Sequence, residues 1–269
     1  MAEGGKYMTT VKDILQCVES FAPAYMKEHW DNVGLLCGDP KQEVTKVLVA
    51  LDPFEGVCRE AIDLGAQLIV THHTLIFTAP KSITTGTSVG RSILQLCRHG
   101  ISAINAHTNL DCTPGGVNDV LAQTLELRDI SVLDPKGTDE DGNPWGLLRT
   151  GSFEAELPGF LAHVKAKLGT PTLRYADGGR PVRKVAVGGG ACAGALVEAF
   201  YAGCDTFVTA DVKYNQFWDA QDLGMNLIDA GHFYTENPVV AVLAQKIASA
   251  FPEIQVIISK THTDCMKFY

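Results

Sequence analysis

Residues 46–73 read KVLVALDPFEGVCREAIDLGAQLIVTHH, and residues 184–211 read KVAVGGGACAGALVEAFYAGCDTFVTAD. The two stretches align without a gap. Lys46 falls on Lys184, Gly65 on Gly203 and Thr71 on Thr209, all at one spacing (184−46 = 203−65 = 209−71 = 138). Each copy opens on an apolar run that reads as a buried strand and turns through Gly or Pro. It then continues as an amphipathic helix closed by Gly and ends in a second strand rich in Val, Ile or Phe. A strand–helix–strand unit used twice predicts an α/β fold.

The likeness extends beyond the second strand. HGISAINAHTNLDCTPGGVNDVLAQTL (99–125) lies over LGMNLIDAGHFYTENPVVAVLAQKI (223–247), which puts His107 on His232 and Asp111 on Glu236 (232−107 = 236−111 = 125). In both, an apolar strand runs into His-x-x-x-carboxylate and a helix follows, with Thr113-Pro114 and Asn237-Pro238 supplying an N-cap and a proline at the first helical position. The expected organisation is a first α/β half over 1–130, a connecting hairpin and turn region over 131–183, and a second half over 184–269, with mixed sheets flanked by helices. The connecting region is read from PKGTDEDGNPW and YADGGRP, which carry turn signals and no third copy.

Composition narrows the function. At 269 residues and 46% hydrophobic, the chain can bury a substantial core. A net charge of −9 argues against nucleic-acid binding, which rests on Lys and Arg displacing counterions. No apolar run approaches the ~20 residues that span a bilayer, and the opening MAEGGKYMTT lacks the apolar stretch of a secretory signal. A soluble, cytoplasmic protein is expected. The eight cysteines never form C-x-x-C and sit mostly in apolar runs, as buried thiols in a reducing compartment do. Cys112, beside Asp111, is the one worth watching.

The chemistry-bearing residues gather at the carboxyl ends of expected strands, where α/β folds place their sites. His72 and His73 end QLIVT, Asp111 follows ISAINA, and His232 and Glu236 follow NLIDAG. Neighbouring side chains in a strand point to opposite faces, so both histidines reach one site only if the chain turns there, or each serves a different ion. A single strand-end histidine is more often a satisfied polar residue than a ligand. The repeat raises the metal reading, because both copies use the same His-x-x-x-carboxylate placement and His72-His73 stands where the second copy has Ala210-Asp211. A pair of divalent ions on His72, His73, Asp111, His232 and Glu236 is therefore expected. Zn, Fe, Mn, Co or Ni suits such ligands better than Ca or Mg, and a carboxylate would bridge ions ~3.5–4 Å apart. His107, the candidate catalytic residue, is either a further ligand or a partner that orients Asp111.

Other features are weaker. Gly188-Gly189-Gly190 before a helix suits a phosphate cradle or a close-packed turn, and the turn is favoured because no acidic ribose partner is evident. The segment 30–35, WDNVGL, suits a pocket wall or a turn capped by Asp or Asn. His29, His99, His163 and His262 have no ligand partner nearby in sequence and are read as surface or core residues. A nucleophile elbow and a P-loop are absent from the sequence.

WDNVGL at 30–35, THHTLIF at 71–77, HTNLDCTPGGVND at 107–119, TAD at 209–211 and GHFYTE at 231–236 together resemble the Nif-three-like family, whose members are often labelled homologues of type 2 GTP cyclohydrolase I. The resemblance spans nearly the whole chain, although the ending THTDCMKFY follows the family only loosely. It implies metal ligation by the paired histidines, the N-L-D aspartate, and the His and Glu of G-H-x-x-T-E, which are His72, His73, Asp111, His232 and Glu236 here. It further implies two intertwined α/β domains with the metals in the cleft between them, and a ring-shaped homohexamer. Two functions follow as expectations. One is a metal-dependent hydrolase of a nucleotide or another small phosphorylated or cyclic amide substrate. The other is a non-enzymatic metal-binding or regulatory scaffold.

Overall fold

The computed structural model describes residues 8–269. The chain builds two mixed sheets flanked by helices. In the first, the strands lie in the order Gly34–Cys37, Ser102–Asn105, Leu68–Thr71, Lys46–Ala50 and Gln255–Ile258. All neighbours pair parallel except Gly34–Cys37, which runs antiparallel at the edge. Strands covered on both faces need apolar side chains throughout, and Leu68, Ile69 and Val70 are wholly buried. Leu48 and Ile69 pack with Val57, Ala61, Ile93 and Leu96 of the covering helices Glu55–Leu64 and Ser88–His99. Those helices stop at Gly65 (φ 63°) and Gly100 (φ 61°), whose backbone N–H groups return to carbonyls of the last turn.

The second sheet runs Arg128–Val132, Arg149–Ala155, Val182–Val187, Thr206–Thr209, Asn226–Asp229 and Arg174–Ala176. Val182–Val187, Thr206–Thr209 and Asn226–Asp229 pair parallel, and the other strands join them antiparallel. The stretch 131–183 holds the expected hairpin, Gly137–Thr138 with Pro144–Trp145. It also supplies two strands of this sheet and the helix Leu157–Leu168. Arg174–Ala176 is an edge strand with two exposed residues, so it lacks the continuous apolar run that marks a central strand.

The repeat is visible in the pairing. Val47 faces Leu68 and Val185 faces Thr206, each one spacing apart (185−47 = 206−68 = 138). The next strand follows in the same order and direction in both copies, Thr71 facing Asn105 and Thr209 facing Asp229. There the spacing is 124 (229−105), so matching His107 to His232 at 125 requires one extra residue in the second copy. Gly231, at φ 85°, lies at that point, immediately before the helix His232–Glu236.

The chain divides into two compact units, neither continuous in sequence. One takes residues through 109 together with 240–263, and the other takes 110–239 with 264–269. Among the described residues no helix is long and apolar enough to cross a membrane.

Candidate metal centre

In the first unit the strand Leu68–Thr71 ends immediately before the paired histidines, and the chain bends there. Thr71 donates its hydroxyl to the His73 carbonyl at 2.7 Å, and the His73 N–H donates to the Leu51 carbonyl at 2.8 Å. This bend removes the alternation that would send the two side chains to opposite faces, and the rings lie 4.8 Å apart. His107, beyond the end of the neighbouring strand, lies 5.2 Å from the His72 ring and 5.7 Å from the His73 ring. His72, His73 and His107 each offer a ligand atom within 4.8 Å of the others and could hold a metal ion.

What aims these rings is common to all three. His72 Nδ1 lies 3.0 Å from the Ala106 carbonyl, His73 Nδ1 2.6 Å from Asp52 Oδ1, and His107 Nδ1 2.9 Å from Asp31 Oδ1. A carbonyl can only accept, so Nδ1 of His72 carries the proton and the Nε2 lone pair is the one a metal would take. The two carboxylates act likewise because they are ionised. Burial alone would raise the Asp52 pKa, but its bonds to His262 and His73 outweigh burial and hold it well below the usual range. Asp31 is also held low against burial by His107 and Thr108. Its Oδ2 accepts both the N–H and the hydroxyl of Thr108, while Oδ1 also accepts the Asn32 N–H at 2.8 Å. Trp30 closes a turn in which the Asp31 N–H donates to the Glu28 carbonyl at 3.0 Å, Gly34 and Leu35 already belong to the edge strand, and the aspartate between them orients a histidine. His262, read from sequence as partnerless, stands 2.7 Å from Asp52 Oδ2 across the carboxylate from His73.

The second unit carries the other expected ligands. His232 and Glu236 share a face of one short helix, with Nε2 and Oε2 3.0 Å apart, and Nδ1 of His232 bonds Asp211 Oδ2 at 2.8 Å. Burial lowers the His232 pKa, but the bonds to Asp211 and Glu236 prevail and hold it at about 10. Asp211 occupies the repeat position of His73 (211−73 = 138) at φ 51°, a left-handed conformation that Asp tolerates. Where the first copy supplies an imidazole, the second supplies the carboxylate that aims one. Asp111 is buried, and Glu236 offers an oxygen within 4.8 Å of ligand atoms of both Asp111 and His232. The segment bearing Asp111 is pinned by Arg149, itself buried, which donates to the carbonyls of Cys112 and Thr113 and to both oxygens of Asp119.

The glycine run resolves in favour of the packed turn. The Gly189 N–H donates to Asn118 Oδ1 at 2.7 Å and the Gly190 N–H to Thr235 Oγ1 at 3.0 Å, so the groups a phosphate would need are already engaged. Gly190, at φ 61°, sits at the repeat position of Asp52 (190−52 = 138), and a Cβ there would lie 2.1 Å from Glu236 Oε1 and 3.0 Å from His232 Nε2. The missing side chain makes room for Glu236. Cys112 is buried, and the ligand groups among the described residues contain no cysteine. Burial, with Asp111 and Glu236 close by, raises the Cys192 thiol pKa far up and keeps it protonated. Imidazole and carboxylate donors without thiolate fit a divalent first-row transition metal or Zn rather than Ca or Mg.

Asp31, Asp52 and Asp211, which aim the candidate histidines, are the site residues that sequence reading did not assign. Asp211 and Asp52 carry a signal in retrospect, since the repeat places them opposite a ligand and opposite the glycine beneath one.

Two repeated α/β units with aimed imidazoles and buried carboxylates beyond their strand ends define a candidate metal-binding α/β protein. The chain belongs to the Duf34/NIF3 (NGG1p interacting factor 3) family, whose model matches residues 9–265. It is 35% identical over 262 residues to a Clostridium perfringens protein called GTP cyclohydrolase 1 type 2 homolog, covering 96% of this chain and 99% of that one. Its fold matches that of a Bacillus cereus protein related to NIF3 with a TM-score of 0.91 at 26% identity, over 98% of this chain and 100% of that one. Staphylococcus aureus protein SA1388 matches at 0.88 and 29% identity, over 97% and 99%.

Proposed function

We propose that His72, His73, Asp111, His232 and Glu236 serve as ligands for two divalent metal ions. On this reading the protein is a metal-dependent hydrolase of a nucleotide or another small phosphorylated or cyclic amide substrate. The observation that carries it is the common treatment of the histidines: His72, His73, His107 and His232 each have Nδ1 on an acceptor, three of them a carboxylate. This partner fixes the ring and makes Nε2 the more basic donor, as in metal-ligating histidines generally. The relatives' name, GTP cyclohydrolase 1 type 2 homolog, agrees with hydrolysis of a nucleotide ring. Two bound ions would lower the pKa of water to ~7 and polarise the bond under attack. His107, held by Asp31 beside the candidate ligands, is the candidate for proton transfer in that reaction. A cytoplasmic ring-shaped homohexamer belongs to the same proposal, and light scattering checks the assembly.

Elemental analysis of folded, metal-supplemented protein should find close to two transition-metal ions per chain, and fewer than half an ion overturns the assignment. Metal-loaded protein is then offered nucleotides and phosphoesters beside an Asp111→Ala control. Turnover that disappears in the control supports the hydrolase. Full metal without turnover on any substrate moves the protein to the scaffold reading.

A further inference from the structure

Trp30 and Phe77 are large aromatic residues left 51% and 58% exposed, and they stand beside the histidine group. Their rings are 5.6 Å apart at an angle of 52°, and each lies 6.2 Å from the His107 ring in an edge-on arrangement. Trp30 and Phe77 therefore pack against each other at a tilt, with His107 edge-on to both rings and about half of each aromatic side chain left exposed. Its position is fixed rather than incidental. Asn32, two residues after Trp30, donates its side-chain amide to the Ile76 carbonyl at 2.7 Å, immediately before Phe77. The Asn32 carbonyl in turn accepts from Asn105 at 3.1 Å. Asp31, between Trp30 and Asn32, holds both His107 and Thr108. A third exposed aromatic, Phe54, meets the His262 ring edge-on at 6.4 Å, and His262 pairs with the carboxylate that aims His73.

Two half-exposed rings brought side by side from separate loops, whose backbones are joined through Asn32, have the form of a stacking site. An indole face attracts an electron-poor planar ring, and a tilted phenyl beside it offers an edge. A sugar phosphate gains little from such walls, whereas a nucleobase gains from both. We propose that Trp30 and Phe77 bind the planar heteroaromatic ring of the substrate and so select nucleotides over base-free sugar phosphates. The inference deepens the hydrolase reading and rests on it for the placement of the phosphate-bearing or reacting end near the metal ligands.

The test compares GMP and AMP with ribose 5-phosphate by calorimetric titration of the metal-loaded protein. The nucleotides should bind more tightly by between about fivefold and about 150-fold, the range expected of one stacked base. Trp30→Leu and Phe77→Leu should each shrink that margin several-fold while leaving metal content and ribose 5-phosphate affinity unchanged. Equal affinities in the unaltered protein, or a margin that survives both substitutions, overturns the proposal. So does a change of oligomeric mass on Trp30→Leu, which would make the aromatic pair a contact between copies. A base-dependent margin that shrinks in the variants upholds the stacking site even where no substrate is turned over. Turnover without such a margin defeats the stacking site alone.

Discussion

Replacing Gly190 by Ala joins two effects that the structure allows to be separated. The first is backbone strain: at φ 61° a Cβ costs about 1–2 kcal/mol. The second is collision, because the new carbon would stand 2.1 Å from Glu236 Oε1 and 3.0 Å from His232 Nε2. Reaching ordinary contact at 3.4 Å requires Glu236 Oε1 to retreat by at least 1.3 Å (3.4 − 2.1). Glu236 is buried, so it cannot swing into solvent, and the retreat breaks a charged contact worth about 1.5–3 kcal/mol. The sum is about 2.5–5 kcal/mol, a fall in Tm of roughly 5–20 °C for a chain of this size. Gly203→Ala is the control, since Gly203 has φ 79° with nothing within 4 Å of its would-be Cβ, and it should lose only the strain component. Thermal melts and elemental analysis of both variants decide. Gly190→Ala should lose stability and most of its metal, whereas Gly203→Ala should lose about 1–2 kcal/mol and keep its metal. A Gly190→Ala protein with full metal content would refute the argument that the absent side chain makes room for Glu236.

His232→Ala and Glu236→Ala should each abolish metal retention while the proteins stay folded by circular dichroism. Unfolding on either substitution, or on chelation, would make the metals structural and remove the main support for catalysis. In chelated protein the His232 pKa is raised from 6.5 to about 10, so the stability it contributes is fully present below the unfolded value and is lost as pH rises through about 10. Melts of the chelated protein should therefore decline between pH 7 and 10, and His232→Asn should flatten that slope; metal binding displaces the same proton, so apparent affinity should rise over this interval. Arg149→Met leaves the Asp119 carboxylate with the Gly115 N–H but no cation and releases the Cys112 and Thr113 carbonyls, and should cost about 3–5 kcal/mol by denaturant titration. A loss below about 1 kcal/mol would show that Arg149 does not pin this segment.

The repeat made much of the fold legible. A gapless spacing of 138 carries a shared hydrogen-bond register, and apolar runs ending in Gly-closed helices follow from parallel strands buried on both faces. The outer strands had weaker signals. Gln255–Ile258 pairs with Lys46–Ala50 from the far end of the chain, and nothing local announces a partner roughly two hundred residues away. At the site, histidines and carboxylates after strands were recognisable by residue type. The Asp31–His107 and Asp52–His73 pairs were not, because they join residues 76 and 21 positions apart through loop geometry. The paired histidines reach one side because the chain turns after the strand, one of the two ways the sequence left open, and the bond from the Thr71 hydroxyl to the His73 carbonyl that makes the turn has no signature in residue type.

The pairing of Gln255–Ile258 with Lys46–Ala50 also sets a timetable for biosynthesis. Between Ala50 and Ile258 lie 208 steps of chain growth (258−50), which take about 10–40 s at ordinary elongation rates. During that interval the nascent chain holds a hydrophobic strand with one edge unsatisfied, the template that promotes pairing with the wrong neighbour. The first unit cannot be completed in passing, as an N-terminal domain usually is; it must wait until the second unit has almost wholly emerged.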